Sequence, residues 1–171
     1  VYPSLAVLEA LRQPPHNLAP ADALYVGSGS RAEAQLAPRA GVAFQPIATG
    51  AVVERGPLAL AGSALRNLQG VAQTLGIIGR FKPDVVFVTG GYISVPVVLA
   101  AALRHVPSVV CLPDARAGMA VRFLARFADR ITVSAPAAAR AFPSAKAVVT
   151  GYPVRAEFGH LDRQTARRRL G

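Results

Sequence analysis

Residues 88–101 read VTGGYISVPVVLAA: the end of an apolar, β-branched run, then Gly90 and Gly91, then Tyr92, then an alanine-rich segment. A short β-branched run that passes through glycines directly into a helical pattern is the strand-to-helix turn of a parallel sheet. In open parallel sheets, ligands sit outside the carboxyl ends of the strands, and a glycine turn aims the backbone N–H groups of the next helix at that crevice. Without Cβ atoms, Gly90 and Gly91 are free to take positive φ and let a phosphate or sugar approach the main chain. Ser94 stands where it can cap the following helix, and Tyr92 brings a hydroxyl to the rim. The same spacing suits a plain tight turn with no ligand, and the turn alone does not decide between the two.

The pattern repeats on both sides of this stretch. Candidate strands fall at 23–27, 43–47, 84–88, 108–112, 130–134 and 147–150, and candidate helices at 4–12, 31–40, 58–81, 94–105, 118–128 and 136–142. This alternation predicts an α/β fold, a Rossmann-like parallel sheet with helices on both faces. Runs such as DVVFV at 84–88 are apolar at nearly every position, which predicts burial on both faces of the sheet. The chain opens on the helical pattern YPSLAVLEALR with no strand before it, so a first strand and its loop are expected to precede Val1. The expected division is a Rossmann-like domain over 1–153 and an interdomain linker, or the start of a further domain, over 154–171.

The chain has 171 residues, 52% of them hydrophobic, enough for one domain with a sizeable core. The longest apolar candidate for a membrane span, 93–111, is interrupted by Pro96, Arg104, His105 and Pro107. A single cysteine, Cys111, excludes an internal disulfide framework; at a strand end it reads as a small buried residue. Nineteen Lys and Arg against nine acids give a net charge of +10, which favours a polyanionic partner. Nucleic acid is disfavoured: aromatic residues for base stacking make up only 6% and the only basic run is Arg167-Arg168-Arg169. His16, in the proline-rich turn QPPHNLAP, reads as a solvated loop residue.

Taken together, TGGYISVPVVLAA, RFLARFADRITVS, AARAFP and TGYPVR resemble, in order and spacing, the amino-terminal domain of the MurG-type transferases, and the likeness covers nearly the whole chain. Members of that family move N-acetylglucosamine from UDP-N-acetylglucosamine to the undecaprenyl-pyrophosphoryl acceptor lipid I, making lipid II for peptidoglycan. The resemblance implies the amino-terminal, acceptor-binding half of a GT-B glycosyltransferase, whose carboxyl-terminal domain holds most of the nucleotide-sugar site. It implies no cofactor and no metal, and a location on the cytoplasmic face of the cell membrane. The helix opening at Tyr2 matches the one that follows the family's first glycine loop, GGTGGH, whose histidine would stand just before Val1.

By the same resemblance Thr89, Gly90, Gly91, Tyr92 and Ser94 fall on the second glycine loop, which implies contact with the acceptor pyrophosphate. Arg155, in TGYPVR, matches an arginine of the donor site, against the simpler reading of a linker arginine in a surface ion pair. One motif departs. Where the family has HEQN, this chain has Cys111, Leu112, Pro113 and Asp114. Asp114 then stands where an asparagine would touch the donor sugar, and a carboxylate there still accepts a sugar hydroxyl; it reads equally as a loop residue capping a helix at Gly118.

Inverting transfer needs a base for the acceptor hydroxyl and dipoles or cations for the departing diphosphate. His16, His105 and His160 are all expected away from the strand ends, so the isolated piece is expected to be inactive. The segment PLALAGSALRNLQGVAQTLGIIGRFK carries leucines and isoleucines beside Arg66, Arg80 and Lys82, which suits contact with an anionic membrane surface. It also suits a helix that turns its apolar face to the sheet. Three rival readings stay open: a non-catalytic homologue that binds lipid pyrophosphate, a transferase for another lipid acceptor, and a generic nucleotide-binding domain.

Overall fold

The computed structural model describes residues 1–50, 57–159, 164, 167 and 168. Among the described residues six strands are formed: β1 (Leu24–Gly27), β2 (Ala43–Pro46), β3 (Val86–Val88), β4 (Ser108–Leu112), β5 (Arg130–Val133) and β6 (Ala147–Val149). Between them run α1 (Tyr2–Leu11), α2 (Arg31–Arg39), α3 (Pro57–Phe81), α4 (Ser94–Leu103), α5 (Met119–Leu124) and α6 (Pro136–Ala139), with a short α7 (Ala156–Gly159) after β6. Every strand pair is parallel. Each candidate strand and helix of the sequence is therefore present; β4 has the expected bounds, α1 and α3 begin earlier than expected, and the other elements are trimmed at one or both ends. The helix expected over 118–128 stops at Leu124, and the one over 136–142 stops at Ala139, where the chain turns ahead of Pro143.

The strands form two sheets, β1-β2 and β3-β4-β5-β6, not one continuous sheet. α2 packs on β1 and β2, α4 on β3 and β4, α5 on β4, and α6 on β5 and β6. The core lies in the larger sheet: Val98, Val110, Leu112, Leu124, Ile131 and Val133 are at most 1% exposed. Each such side chain contributes on the order of 1.5–3 kcal/mol relative to exposure. β3 departs from the expectation of burial on both faces, because Val86 and Phe87 are only half-buried and Val85 just ahead of it is exposed. Among the described residues no strand pairs with its outer edge.

The long helix α3 also departs from the simplest reading of its apolar residues. Its buried stripe is Ser63, Gly70, Thr74, Ile77 and Ile78, whereas Leu60, Leu65 and Leu68 are 51–68% exposed. Small residues face inward because the chain after β2 lies directly on the helix: a Cβ at Gly70 would run into the Ala48 carbonyl oxygen and one at Gly50 into the backbone of Ser63. Side chains of α3 pin that segment. The Gln73 Oε1 accepts from the Ala48 N–H at 2.7 Å, and the Asn67 amide both accepts from and donates to the backbone of Gly50, at 3.0 and 3.2 Å.

Candidate functional site

At the end of β3 the chain turns through Thr89, Gly90 at φ 78° and Gly91 at φ 82° before α4 begins. Residues other than glycine take this left-handed conformation at a cost of about 1–2 kcal/mol. The two glycines differ in what surrounds them. A Cβ on Gly90 would press on Val121 Cγ2 at 3.0 Å, so α5 packs against it; a Cβ on Gly91 would meet nothing within 4 Å. Gly91 therefore offers bare main chain to whatever fills the space above it.

That space is a crevice of about 300 Å³ lined by Thr89, Gly90, Gly91 and Tyr92 on one side and Leu112, Pro113, Asp114 and residues 118–121 on the other. It lies outside the carboxyl ends of the neighbouring strands β3 and β4, where parallel sheets hold ligands. Tyr92 is 40% exposed at its rim. The geometry brings together Thr89, Gly90, Gly91, Tyr92 and Asp114. The capping role for Asp114 does not occur, because α5 is capped by Gly118 with no side-chain bond. Its carboxylate is exposed.

Ser94 is placed otherwise than expected. It is 2% exposed, the N-cap position belongs to Ile93, and the Ser94 hydroxyl donates to the Gly90 carbonyl at 2.6 Å. The serine thus closes the turn from within, and its oxygen faces the turn's own carbonyl. Arg155 does not line the crevice. Its guanidinium stacks over Tyr2 at 5.5 Å and over Phe158 at 5.1 Å, tying the segment after β6 to the start of α1. His16 and His105 lie beyond the carboxyl ends of α1 and α4, away from the crevice, and His160 lies outside the described residues. Arg167 and Arg168 are exposed, and Arg169 is also outside the described residues.

A second glycine turn, Gly27-Ser28-Gly29-Ser30, follows β1. Here the space is filled by the protein itself. The Glu33 carboxylate accepts from the Ser28 N–H at 2.8 Å, the Ser28 hydroxyl at 2.7 Å and the Ser30 hydroxyl at 3.0 Å. Burial alone would raise the pKa of this 9% exposed carboxyl; the hydrogen bonds outweigh it and hold it below the ordinary value. The pairing of Ser30 with Glu33 is a capping box, and the S-x-x-E spacing was the signal that would have revealed it. Cys111 is buried at the end of β4, and desolvation raises its thiol pKa, offset in part by a hydrogen bond with Thr132. It is a packing residue and not an activated nucleophile.

A parallel α/β fold with a glycine-turn crevice at its strand ends defines a ligand-binding domain of the doubly wound type. Residues 1–133 match the glycosyltransferase family 28 N-terminal domain, and the chain belongs to that family. The UDP-N-acetylglucosamine–N-acetylmuramyl-(pentapeptide) pyrophosphoryl-undecaprenol N-acetylglucosamine transferase of Desulforudis audaxviator is 40% identical over the whole chain, and that of Symbiobacterium thermophilum 38%. The chain spans about 45% of the length of these relatives. Among solved structures, MurG from Acinetobacter baumannii superposes with a TM-score of 0.70 at 22% identity, covering 91% of this chain and 42% of that one. UDP-GlcNAc 2-epimerase from Neisseria meningitidis, bound to UDP-GlcNAc, reaches 0.54 at 14% identity over 86% of this chain and 51% of its own. These two likenesses bear on the fold.

Proposed function

We propose that this chain is the acceptor-binding half of an inverting glycosyltransferase that moves N-acetylglucosamine from UDP-N-acetylglucosamine to an undecaprenyl-pyrophosphate-linked acceptor in peptidoglycan synthesis. The observation that carries the reading is the open face of Gly91. A positive-φ glycine at the start of α4, with nothing over its α-carbon, is the setting in which a diphosphate meets main-chain N–H groups and the positive end of a helix. Thr89, Gly90, Gly91 and Tyr92 take the acceptor pyrophosphate, and Ser94 holds the turn in shape.

Asp114 faces the same crevice from the other side and accepts a hydroxyl of the donor sugar. Arg155, at the exit towards the carboxyl-terminal domain, supplies positive charge near the donor diphosphate. The base is the histidine expected just before Val1: it takes the proton of the acceptor hydroxyl as that oxygen attacks the anomeric carbon and UDP departs with the bonding pair. Work at the cytoplasmic face of the membrane fits the exposed Leu60, Leu65 and Leu68 of α3 with Arg66 among them. No described helix is long and apolar enough to cross a membrane.

The full-length protein, given UDP-N-acetylglucosamine and lipid I, is expected to release UDP and form the disaccharide lipid, with Asp114→Ala raising the donor KM. Binding of the lipid pyrophosphate without UDP release would overturn the reading. It would favour instead the non-catalytic homologue, which Leu112, Pro113 and Asp114 in place of the family's Glu-Gln-Asn suggest.

A further inference from the structure

The helix α5 and the turn that follows it are apolar on two faces. The inner face joins the core through Val121, Leu124 and Ala128, which are at most 6% exposed. A helix that has buried one face ordinarily turns polar residues outward. Here Met119 is 63% exposed, and Phe123 and Phe127 are each 40% exposed. Met119 and Phe123 stand four residues apart and share one side of the helix. The turn after α5 brings the Phe127 ring to 5.3 Å from that of Phe123, centroid to centroid. The three side chains make one apolar stripe on the order of 10 Å long.

The stripe begins at the ligand crevice. Met119 lines the crevice beside Gly118 and Ala120, across from Gly91 and Tyr92, so apolar surface continues from the mouth of the crevice along the outside of α5. Cations border it. Arg116, Arg122 and Arg126 are exposed, and no acid occurs between Asp114 and Asp129. The far end is held in place by Lys146, whose ammonium donates to the carbonyls of Ala125, Arg126 and Ala128 at 3.2, 3.4 and 2.8 Å. That grip fixes the turn from which Phe127 projects, so little order is lost when a ligand settles on the rings. An apolar surface edged by cations and continuous with a diphosphate crevice complements one kind of ligand: an apolar chain joined to a diphosphate.

We infer that Met119, Phe123 and Phe127 form the subsite for the first isoprene units of the lipid-linked acceptor, seating the chain as it leaves the pyrophosphate held at Gly91. The inference rests on the reading that the crevice takes the acceptor pyrophosphate. The chain lies on the exposed rings and the methionine, while Arg122 and Arg126 stay in water along its edge. Laying the chain there removes apolar area of both partners from water, so affinity rises with each isoprene unit that the stripe can cover.

Calorimetric titration of the full-length protein with inorganic pyrophosphate, geranyl diphosphate and farnesyl diphosphate, each below its aggregation concentration, tests the subsite. Farnesyl diphosphate is expected to bind about tenfold or more tighter than inorganic pyrophosphate, with geranyl diphosphate between them. The double variant Phe123→Ser, Phe127→Ser is expected to lose that gain and to bind inorganic pyrophosphate as before, which also shows that it is folded. Equal affinity for the three ligands, or a gain that survives in the variant, overturns the subsite while leaving the pyrophosphate site standing. Loss of inorganic pyrophosphate binding in the variant overturns it as well, by making the two rings part of the crevice. A variant that keeps the farnesyl gain but no longer binds phosphatidylglycerol vesicles overturns it in favour of a face that lies on the membrane. No binding of any of the three ligands overturns the subsite together with the pyrophosphate reading. The transferase reading fails by a different sign, the absence of UDP release with UDP-N-acetylglucosamine and lipid I.

Discussion

Two glycine turns stand at the carboxyl ends of β1 and β3, each leading into a helix, and they end in opposite states. After β1, the Glu33 carboxylate occupies the turn and takes hydrogen bonds from Ser28 and Ser30. After β3, the turn is closed from below by the Ser94 hydroxyl, while Gly91 keeps an open face. The position in the fold is shared, and what separates a structural turn from a ligand turn is whether the protein supplies its own anion. A buried carboxylate already filling the N–H cradle leaves no room, and no favourable field, for a phosphate.

The largest expected effect comes from emptying the first turn of its charge. Glu33→Gln puts an amide N–H₂ beside donors and is expected to cost about 1–3 kcal/mol, read by urea unfolding. The carboxylate has a depressed pKa in the folded state, so its contribution is in place above the ordinary carboxyl value of 4.5 and is lost as the pH falls through the lower folded value. The variant should accordingly show a flatter loss of Tm on the acid side. An unchanged acid limb would mean that the Ser28 and Ser30 bonds do not distinguish the folded carboxylate.

A smaller effect is expected in the second turn. Ser94→Ala removes one buried hydrogen bond and leaves the Gly90 carbonyl without that donor, a loss of about 1 kcal/mol. If Ser94 shapes the turn, the variant raises the acceptor KM while leaving the donor KM alone; a fall in stability with no kinetic change would reduce it to a packing residue. Smallest of all is the response of Cys111. Buried in β4 with its thiol pKa raised, it should resist iodoacetamide at neutral pH in the native protein and react on unfolding. Rapid native-state alkylation would show that β4 opens near the site.

The elements were legible because short apolar runs such as SVVCL are buried along nearly their whole length, a demand that leaves a plain mark on the sequence. The glycine turn was legible because positive φ restricts the residue type, and both glycines take it. What escaped depends on relations between distant segments. The inward face of α3 is made of Ser63, Gly70 and Thr74 because the Ala48–Gly50 backbone lies on it, and no periodicity of apolar residues announces a face chosen for smallness. The parting of the two sheets follows from pairings that only the folded chain displays. Ser94 looked like a cap because its position is one residue from the cap; a rotation of the turn sends its hydroxyl to Gly90 instead. The motif that marks Arg155 says nothing of its stacking on Tyr2 and Phe158, a contact between segments far apart in the chain.

The central claim is that the open face of Gly91 receives the acceptor pyrophosphate, and Gly91→Ala in the full-length protein tests it most directly. The added methyl meets no protein atom, so beyond the backbone cost of about 1–2 kcal/mol in stability any further change belongs to the ligand. Steady-state kinetics should show the acceptor KM raised about tenfold or more, the equivalent of roughly 1.4 kcal/mol, with the donor KM unchanged. An acceptor KM equal to that of the unsubstituted protein, alongside the expected drop in stability, would contradict the account.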